Sequence, residues 1–128
     1  DWHLLVGDDT ALPAISRRLA ELPAEAHAIV IAEVDSAADK VDLPTAANVQ
    51  IVWAYRDNAA AGEFPVLTAL EQIALPEGEF HAWVACESAA AKAVRAHLIA
   101  VHHANPKWIR ASGYWRKGSA DTHDSLDD

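Results

Sequence analysis

Only one cysteine, Cys86, occurs in the 128 residues. A single thiol excludes an internal disulfide and any metal site built from a cysteine cluster, and a reducing, cytoplasmic setting is the expectation. No apolar run approaches the roughly 18 residues of a membrane span, and the first residues have neither the basic region nor the apolar core of a secretory signal. Methionine is absent, at position 1 as elsewhere. Opening at Asp1 directly on a strand-like run, the chain reads as a domain of a longer protein. Three signatures are also missing: the G-x-G-x-x-G of the common dinucleotide fold, the G-K-[ST] of a P-loop and the G-x-S-x-G of a hydrolase nucleophile.

Positive charge is scarce, with 10 Lys and Arg against 19 Asp and Glu, so the formal net charge is -9. Such a surface repels phosphate backbones, and no Lys/Arg stripe with interleaved aromatics exists to reverse that, which argues against nucleic acid as a partner. Four of the negative charges are the aspartates of the last eight residues, "DTHDSLDD", leaving residues 1–120 at only -5. Residues 119–128 read as an acidic flexible tail with too little apolar surface to order itself.

What is present is a regular alternation. His3–Gly7, Ala28–Val34, Val49–Tyr55, Phe80–Cys86 and Trp108–Tyr114 are short runs rich in Val, Ile and aromatics, which predicts five strands. Between them Ala11–Leu22, Phe64–Ala74 and Ser88–His103 carry apolar residues at helical spacing, and the connection "DSAADKVDLPTAAN" leaves room for a helical turn before Pro44. The length suits one core. The fold class expected is α/β: a doubly wound five-stranded parallel sheet with helices on both faces.

In such sheets ligands bind beyond the carboxyl ends of the strands, where the strand order reverses. Two corners look suited to this. At "LLVGDDTALPAI", Gly7 allows a tight turn, Asp9 or Thr10 caps the helix, and Pro13 falls in its first turn, where a missing N–H costs little. The remaining N–H groups of that helix end form an anion site, although Asp8 and Asp9 repel a diphosphate unless they point away, and ordinary helix entry explains the same residues. At "ACES", Ala85–Ser88, Ser88 is the expected cap; Cys86 is either a small buried residue or a reactive thiol.

Other chemistries find less support. On the last helix His97 has Val101 at i+4, and His102 and His103 lie on different faces, so no metal-ligand pair is expected. Asp8 and Asp9 resemble the acidic pair of a phosphoacceptor receiver module, but the acceptor Asp57 falls past the third strand and Lys117 comes too late. A receiver-like signalling module and a non-catalytic adaptor stand as the alternatives.

"DWHLLVGDDTALPAI", "FHAWVACESAAAKAVRAHL" and above all "SGYWRKG" together resemble the C-terminal domain of the siderophore-interacting proteins, over residues 1–118. These are flavin-dependent ferric-siderophore reductases related to ferredoxin–NADP reductase. The resemblance implies strand order 3-2-1-4-5 and an N-terminal FAD-binding barrel that this chain lacks. This domain would bring NADH or NADPH to the flavin, hydride would pass to the flavin, and single electrons to a ferric siderophore would release the iron, because ferrous iron is held less tightly by hard oxygen ligands. The isolated domain is then expected to be inactive.

The resemblance also implies site residues. Thr10, Ala11 and Leu12, beside Gly7 and Asp9, would lie near the pyrophosphate, and Cys86 and Glu87, followed by Ser88, near the nicotinamide. Trp115 would face the flavin, while Arg116 and Lys117 would steer an anionic siderophore. At the end of the second strand Glu33, with Asp35 and Asp39 nearby, would accept a ribose hydroxyl and repel a 2′-phosphate, favouring NADH; Arg56 would act in the opposite sense.

Overall fold

Five apolar runs pair as one sheet in the computed structural model, which describes residues 2–59, 62–115 and 124–125. They are β1 (Trp2–Asp8), β2 (His27–Val34), β3 (Asn48–Tyr55), β4 (Phe80–Glu87) and β5 (Ile109–Trp115), each within one residue of its expected bounds. All five are parallel, in the order β3-β2-β1-β4-β5. A two-residue strand, β6 (Asp124–Ser125), adds to β5 antiparallel, within the segment expected to be a tail. A receiver module has the order 2-1-3-4-5; here β3 is the outermost strand on its side, so the topology departs from the signalling alternative.

The helices are α1 (Leu12–Glu21), α2 (Pro65–Gln72) and α3 (Ser88–His102). The chain steps one way from β1 to β2 and the other way through β4 to β5, so right-handed crossovers put α1 on one face and α2 with α3 on the other. Packing follows this division. Ile15 and Leu19 of α1 meet Leu5 and Val30, whereas Val66 and Leu70 of α2 and Val94 and Leu98 of α3 meet Leu4, Val6, Ile31 and Val84. Ile15 and Leu19 are spaced i, i+4 on one helical stripe and both are fully buried, each contributing about 1.5–3 kcal/mol. The expected turn before Pro44 is a 3-10 turn at Ala37–Asp39. Past it, Leu43 packs into the α1 face.

Between β1 and β4 the connections leave in opposite directions, which opens a crevice at the strand carboxyl ends. Both corners singled out in the sequence lie on it.

Candidate functional site

The first corner departs from expectation in two ways. Gly7 is not a turn residue: it sits inside β1, paired with Ala32 and Ala85, and is not among the glycines of positive φ. What it supplies is space. A Cβ there would stand 2.9 Å from Ile15 Cδ1 and 3.0 Å from both Ala11 Cβ and the Ala85 carbonyl oxygen. The cap is Asp8, rather than Asp9 or Thr10. A 3-10 turn, Asp9–Ala11, leads into α1, and the buried Asp8 carboxylate accepts hydrogen bonds from the Thr10 N–H, at 3.1 Å, and from the Thr10 hydroxyl. The negative charge is thereby turned inward onto the helix start, which its partial positive charge favours. Pro13 falls in the first turn of α1, as its ring requires.

Asp9 points the other way. Its carboxylate accepts from Arg56 Nη2 at 2.6 Å, and the same guanidinium donates from Nη1 to Glu33 at 3.0 Å and from Nε to Asp35 at 2.7 Å. One cation thus ties the carboxyl ends of β1, β2 and β3 together. Glu33 stands opposite Asp8 in the β1–β2 register, and its side chain is 9% exposed, against 48% for Asp9 and 73% for Asp35. The carboxylates that a ligand can reach are therefore Asp35 and Asp9, with Glu33 beneath Arg56. Burial raises the Glu33 pKa, opposed by the hydrogen bond and charge of Arg56. Burial works against the charge on Arg56 too, but its bonds to Asp9 and Asp35 outweigh that and raise its pKa. Next to Arg56, Tyr55 and Trp53 line an open cavity of about 250 Å3 between β3 and α2.

At the second corner the cap is Glu87 instead of Ser88. The Glu87 carboxylate accepts the Ala89 N–H at 2.6 Å, while Ser88 is the buried first residue of α3. Cys86 packs in the core with Val6 and Val84. Burial, then the charges of Asp8, Glu33 and Glu87, push its thiol far above the ordinary range, so it is neither a thiolate nor a nucleophile at neutral pH. What Cys86 can offer the crevice is backbone. The β4–β5 register shifts between Cys86 and Glu87, which brings Glu87 opposite Trp115 at the end of β5. Arg116 and Lys117 lie outside the described residues.

Among the described residues no three His, Cys, Asp or Glu side chains converge as a metal site. The His97 and His102 rings do meet, edge to face at 5.2 Å, a contact that i+4 spacing alone does not foresee. Neither Asp8 as the cap nor the arrangement around Arg56, whose partners lie 21 to 47 residues away, is foreseen from the sequence.

The fit of this crevice to a dinucleotide differs along its length. Its ribose end offers exposed acceptors at the end of β2. Its pyrophosphate end is narrower in donors, since the Thr10 N–H and hydroxyl are held by Asp8 and Pro13 has no N–H.

The chain matches the family model described as siderophore-interacting protein over residues 1–118. It is 37% identical, over 121 residues, to the ferric vibriobactin reductase ViuB of Vibrio cholerae, covering 92% of this chain and 44% of that protein. An uncharacterized protein of Mycobacterium tuberculosis is 31% identical, with 92% and 45% covered. Among solved structures, a siderophore utilization protein from T. fusca superposes with a TM-score of 0.82 at 35% identity, covering 95% of this chain and 47% of that one. The siderophore-interacting protein SipS from Aeromonas hydrophila gives 0.77 at 27%, with 91% and 46% covered. The chain thus spans about half the length of the curated relatives it matches.

Proposed function

The chain belongs to the siderophore-interacting protein family, and from that footing we propose that it is the nicotinamide-binding half of a flavin-dependent ferric-siderophore reductase. The observation that carries this reading is the placement of exposed carboxylates, Asp35 above all, at the carboxyl end of β2 beside the switch point of a β3-β2-β1-β4-β5 sheet. Asp35 accepts the adenosine ribose hydroxyls. Glu33 and Asp9 hold Arg56 in place beside it, so that one cation faces three carboxylates and no cation of the cluster is left for a 2′-phosphate. NADH is therefore the preferred donor.

The pyrophosphate lies along the start of α1 past Asp8, over Thr10, Ala11 and Leu12, and the close approach of that start to β1 depends on Gly7. Cys86, Glu87 and Ser88 border the nicotinamide through the end of β4, Trp115 faces the flavin, and Arg116 with Lys117 meets an anionic ferric siderophore. A flavin held on a companion barrel would supply the two-electron to one-electron chemistry, taking up the hydride and passing its electrons singly to ferric iron. The domain described by residues 1–118 supplies orientation, and residues 119–128 are an acidic extension.

Expression of the gene together with the sequence upstream of Asp1 tests this. A yellow protein that oxidises NADH in the presence of a ferric siderophore is expected, whereas the 128-residue chain alone leaves NADH untouched. An upstream sequence with no flavin-binding barrel, or steady NADH oxidation by the 128-residue chain without added flavin, refutes the proposal.

A further inference from the structure

The two edges of the sheet differ. At one, β6 pairs with β5, whereas at the other the eight-residue β3 pairs among the described residues with β2 alone. The Asn48 N–H donates inward to the Ala26 carbonyl at 2.9 Å, and backbone groups alternate along a strand, so the N–H and C=O of Val49, Ile51, Trp53 and Tyr55 face outward. None of these groups has a hydrogen-bond partner among the described residues. Exposed edges are ordinarily protected by shortness, charge, proline or a bulge. This one has none of them: Asn48–Tyr55 contains no charged residue and no proline, the uncharged run reaches back to Leu43, and the register with β2 is unbroken from Asn48 to Tyr55. Apolar surface flanks it on both sides. Trp53 and Tyr55 border the cavity against Thr68 and Gln72 of α2, and Lys40 reaches the Tyr55 ring at 5.9 Å, which sets the neighbouring Val41, 47% exposed, by the same end of the strand.

We propose that this edge pairs with a second copy of the chain: two β3 strands join antiparallel about a twofold axis at Val52, so that one sheet runs through both copies. The pairing is independent of the reductase reading. Three observations select a second copy as the occupant. The first is register. Val49, Ile51, Trp53 and Tyr55 are placed symmetrically about Val52, so Val49 meets Tyr55 of the partner subunit and Ile51 meets Trp53 of the partner subunit. Each such pair exchanges two hydrogen bonds, and no outward group of β3 is left over. The second is charge. Copies of a chain with net charge -9 repel one another over most approaches, and the uncharged Leu43–Tyr55 run is where that repulsion is least. The third is area. The strand is about 27 Å long and the sheet with its α2 layer about 20 Å high, so pairing covers roughly 1,100 Å2 over both copies, enough for a specific dimer of modest affinity. A folded copy also brings its strand already extended, whereas a disordered peptide would lose chain entropy on pairing.

Sedimentation velocity over the micromolar range, with amide exchange read by NMR, tests the pairing. The expected result is a reversible dimer of twice the 13.8 kDa chain mass, in which the amides of Val49, Ile51, Trp53 and Tyr55 exchange at least about tenfold more slowly than in the dilute monomer. Because Val52 stands opposite Val52 of the partner subunit, Val52→Lys and Val52→Glu each set like charges face to face. Each alone should raise the dimer Kd at least about fivefold, and mixing the two should restore a heterodimer. A chain that stays at 13.8 kDa with the four amides exchanging equally fast throughout overturns the proposal. A dimer that both variants leave intact also overturns it, since the copies then join elsewhere, as does a mixture that stays monomeric while each variant keeps its native circular dichroism. If either variant fails to fold, exchange at the four amides of the unaltered chain decides. The protein expressed with the sequence upstream of Asp1 should form the same dimer; a monomer in which the four amides are slow puts another part of the same chain on the edge and overturns the pairing.

Discussion

Gly7→Ala is the smallest change that reaches both the fold and the crevice. The new Cβ would stand 2.9 Å from Ile15 Cδ1, 3.0 Å from Ala11 Cβ and 3.0 Å from the carbonyl oxygen of Ala85. None of these neighbours gives way easily: Ile15 and Ala11 are fully buried and Ala85 is backbone within a paired strand. Overpacking of this kind costs about 1–3 kcal/mol. Loss of glycine entropy in the unfolded chain returns about 0.4–1 kcal/mol, which is too little to cancel it. At roughly 3–6 °C per kcal/mol for a chain of this size, the melting temperature falls by several degrees. Ile15→Val removes Cδ1, the nearest obstruction, and alone costs about 0.5–1.5 kcal/mol. In the double variant the losses should fall short of their sum by at least about 0.5 kcal/mol, measured by urea and thermal denaturation followed by circular dichroism. Because the strain lies between β1 and the turn that starts α1, NADH binding weakens in Gly7→Ala and partly recovers in the double variant. A Gly7→Ala chain as stable as the original, or strictly additive losses, refutes the close-packing account.

Three further outcomes follow from the charged and titrating groups. Asp9→Asn with Asp35→Asn removes the two shortest bonds on Arg56; a freed guanidinium gains a charge-assisted bond of about 1.5–3 kcal/mol to a 2′-phosphate, so the Kd ratio should move toward NADPH by about tenfold or more, and an unchanged ratio refutes the assignment. Burial, then the neighbouring imidazoles, lowers the pKa of His3 and of His102. The unfolded chain therefore binds more protons, stability is fully present above the ordinary histidine pKa, and it is lost as pH falls through that value toward the lowered ones; a melting temperature that rises on acidification from pH 7 to 5.5, or a slope unaltered in His3→Gln, contradicts this. Cys86, buried and held protonated, should react with an aromatic disulfide at pH 8 at least about 100-fold more slowly in the native chain than in urea, and rapid native labelling disproves its burial.

The strands and helices were legible because each is an apolar run or a 3.6-residue stripe bounded by turn formers, and such patterns depend on neighbours in the chain. The caps were not. In "GDDT" two adjacent aspartates and a threonine all have capping chemistry, and only the place where β1 ends decides among them: it runs to Asp8, whose carboxylate then faces the turn. Glu87 won over Ser88 for the same reason, because β4 and α3 abut and the cap is the last strand residue. The recognised motifs located the crevice, but not the contact of Arg18 with Trp83. Arg18 and Trp83 are 65 residues apart and meet only because β4 lies beside β1.

The carboxyl end of β2 shows how depth along a strand sorts residues of one chemistry. Glu33 lies within β2, which ends at Val34, so its side chain is fixed by the pleat beside Asp8 and buried under Arg56. Asp35 is the first residue past the strand and has no such constraint; it reaches Arg56 from outside and keeps 73% of its side chain exposed. Of the carboxylates expected here, Glu33 with Asp35 and Asp39 nearby, the structure buries Glu33 under Arg56 and leaves Asp35 exposed. The two residues should therefore separate by experiment. Asp35→Asn weakens the ribose contact and leaves stability within about 0.5 kcal/mol, as for an exposed ion pair. Glu33→Gln leaves Arg56 short of a buried partner, so it lowers stability by about 1–3 kcal/mol and affects NADH only through the loosened guanidinium. If Glu33→Gln raised the Kd for NADH more than Asp35→Asn did while the fold stayed equally stable, the acceptor would be Glu33 and the assignment by exposure would be wrong.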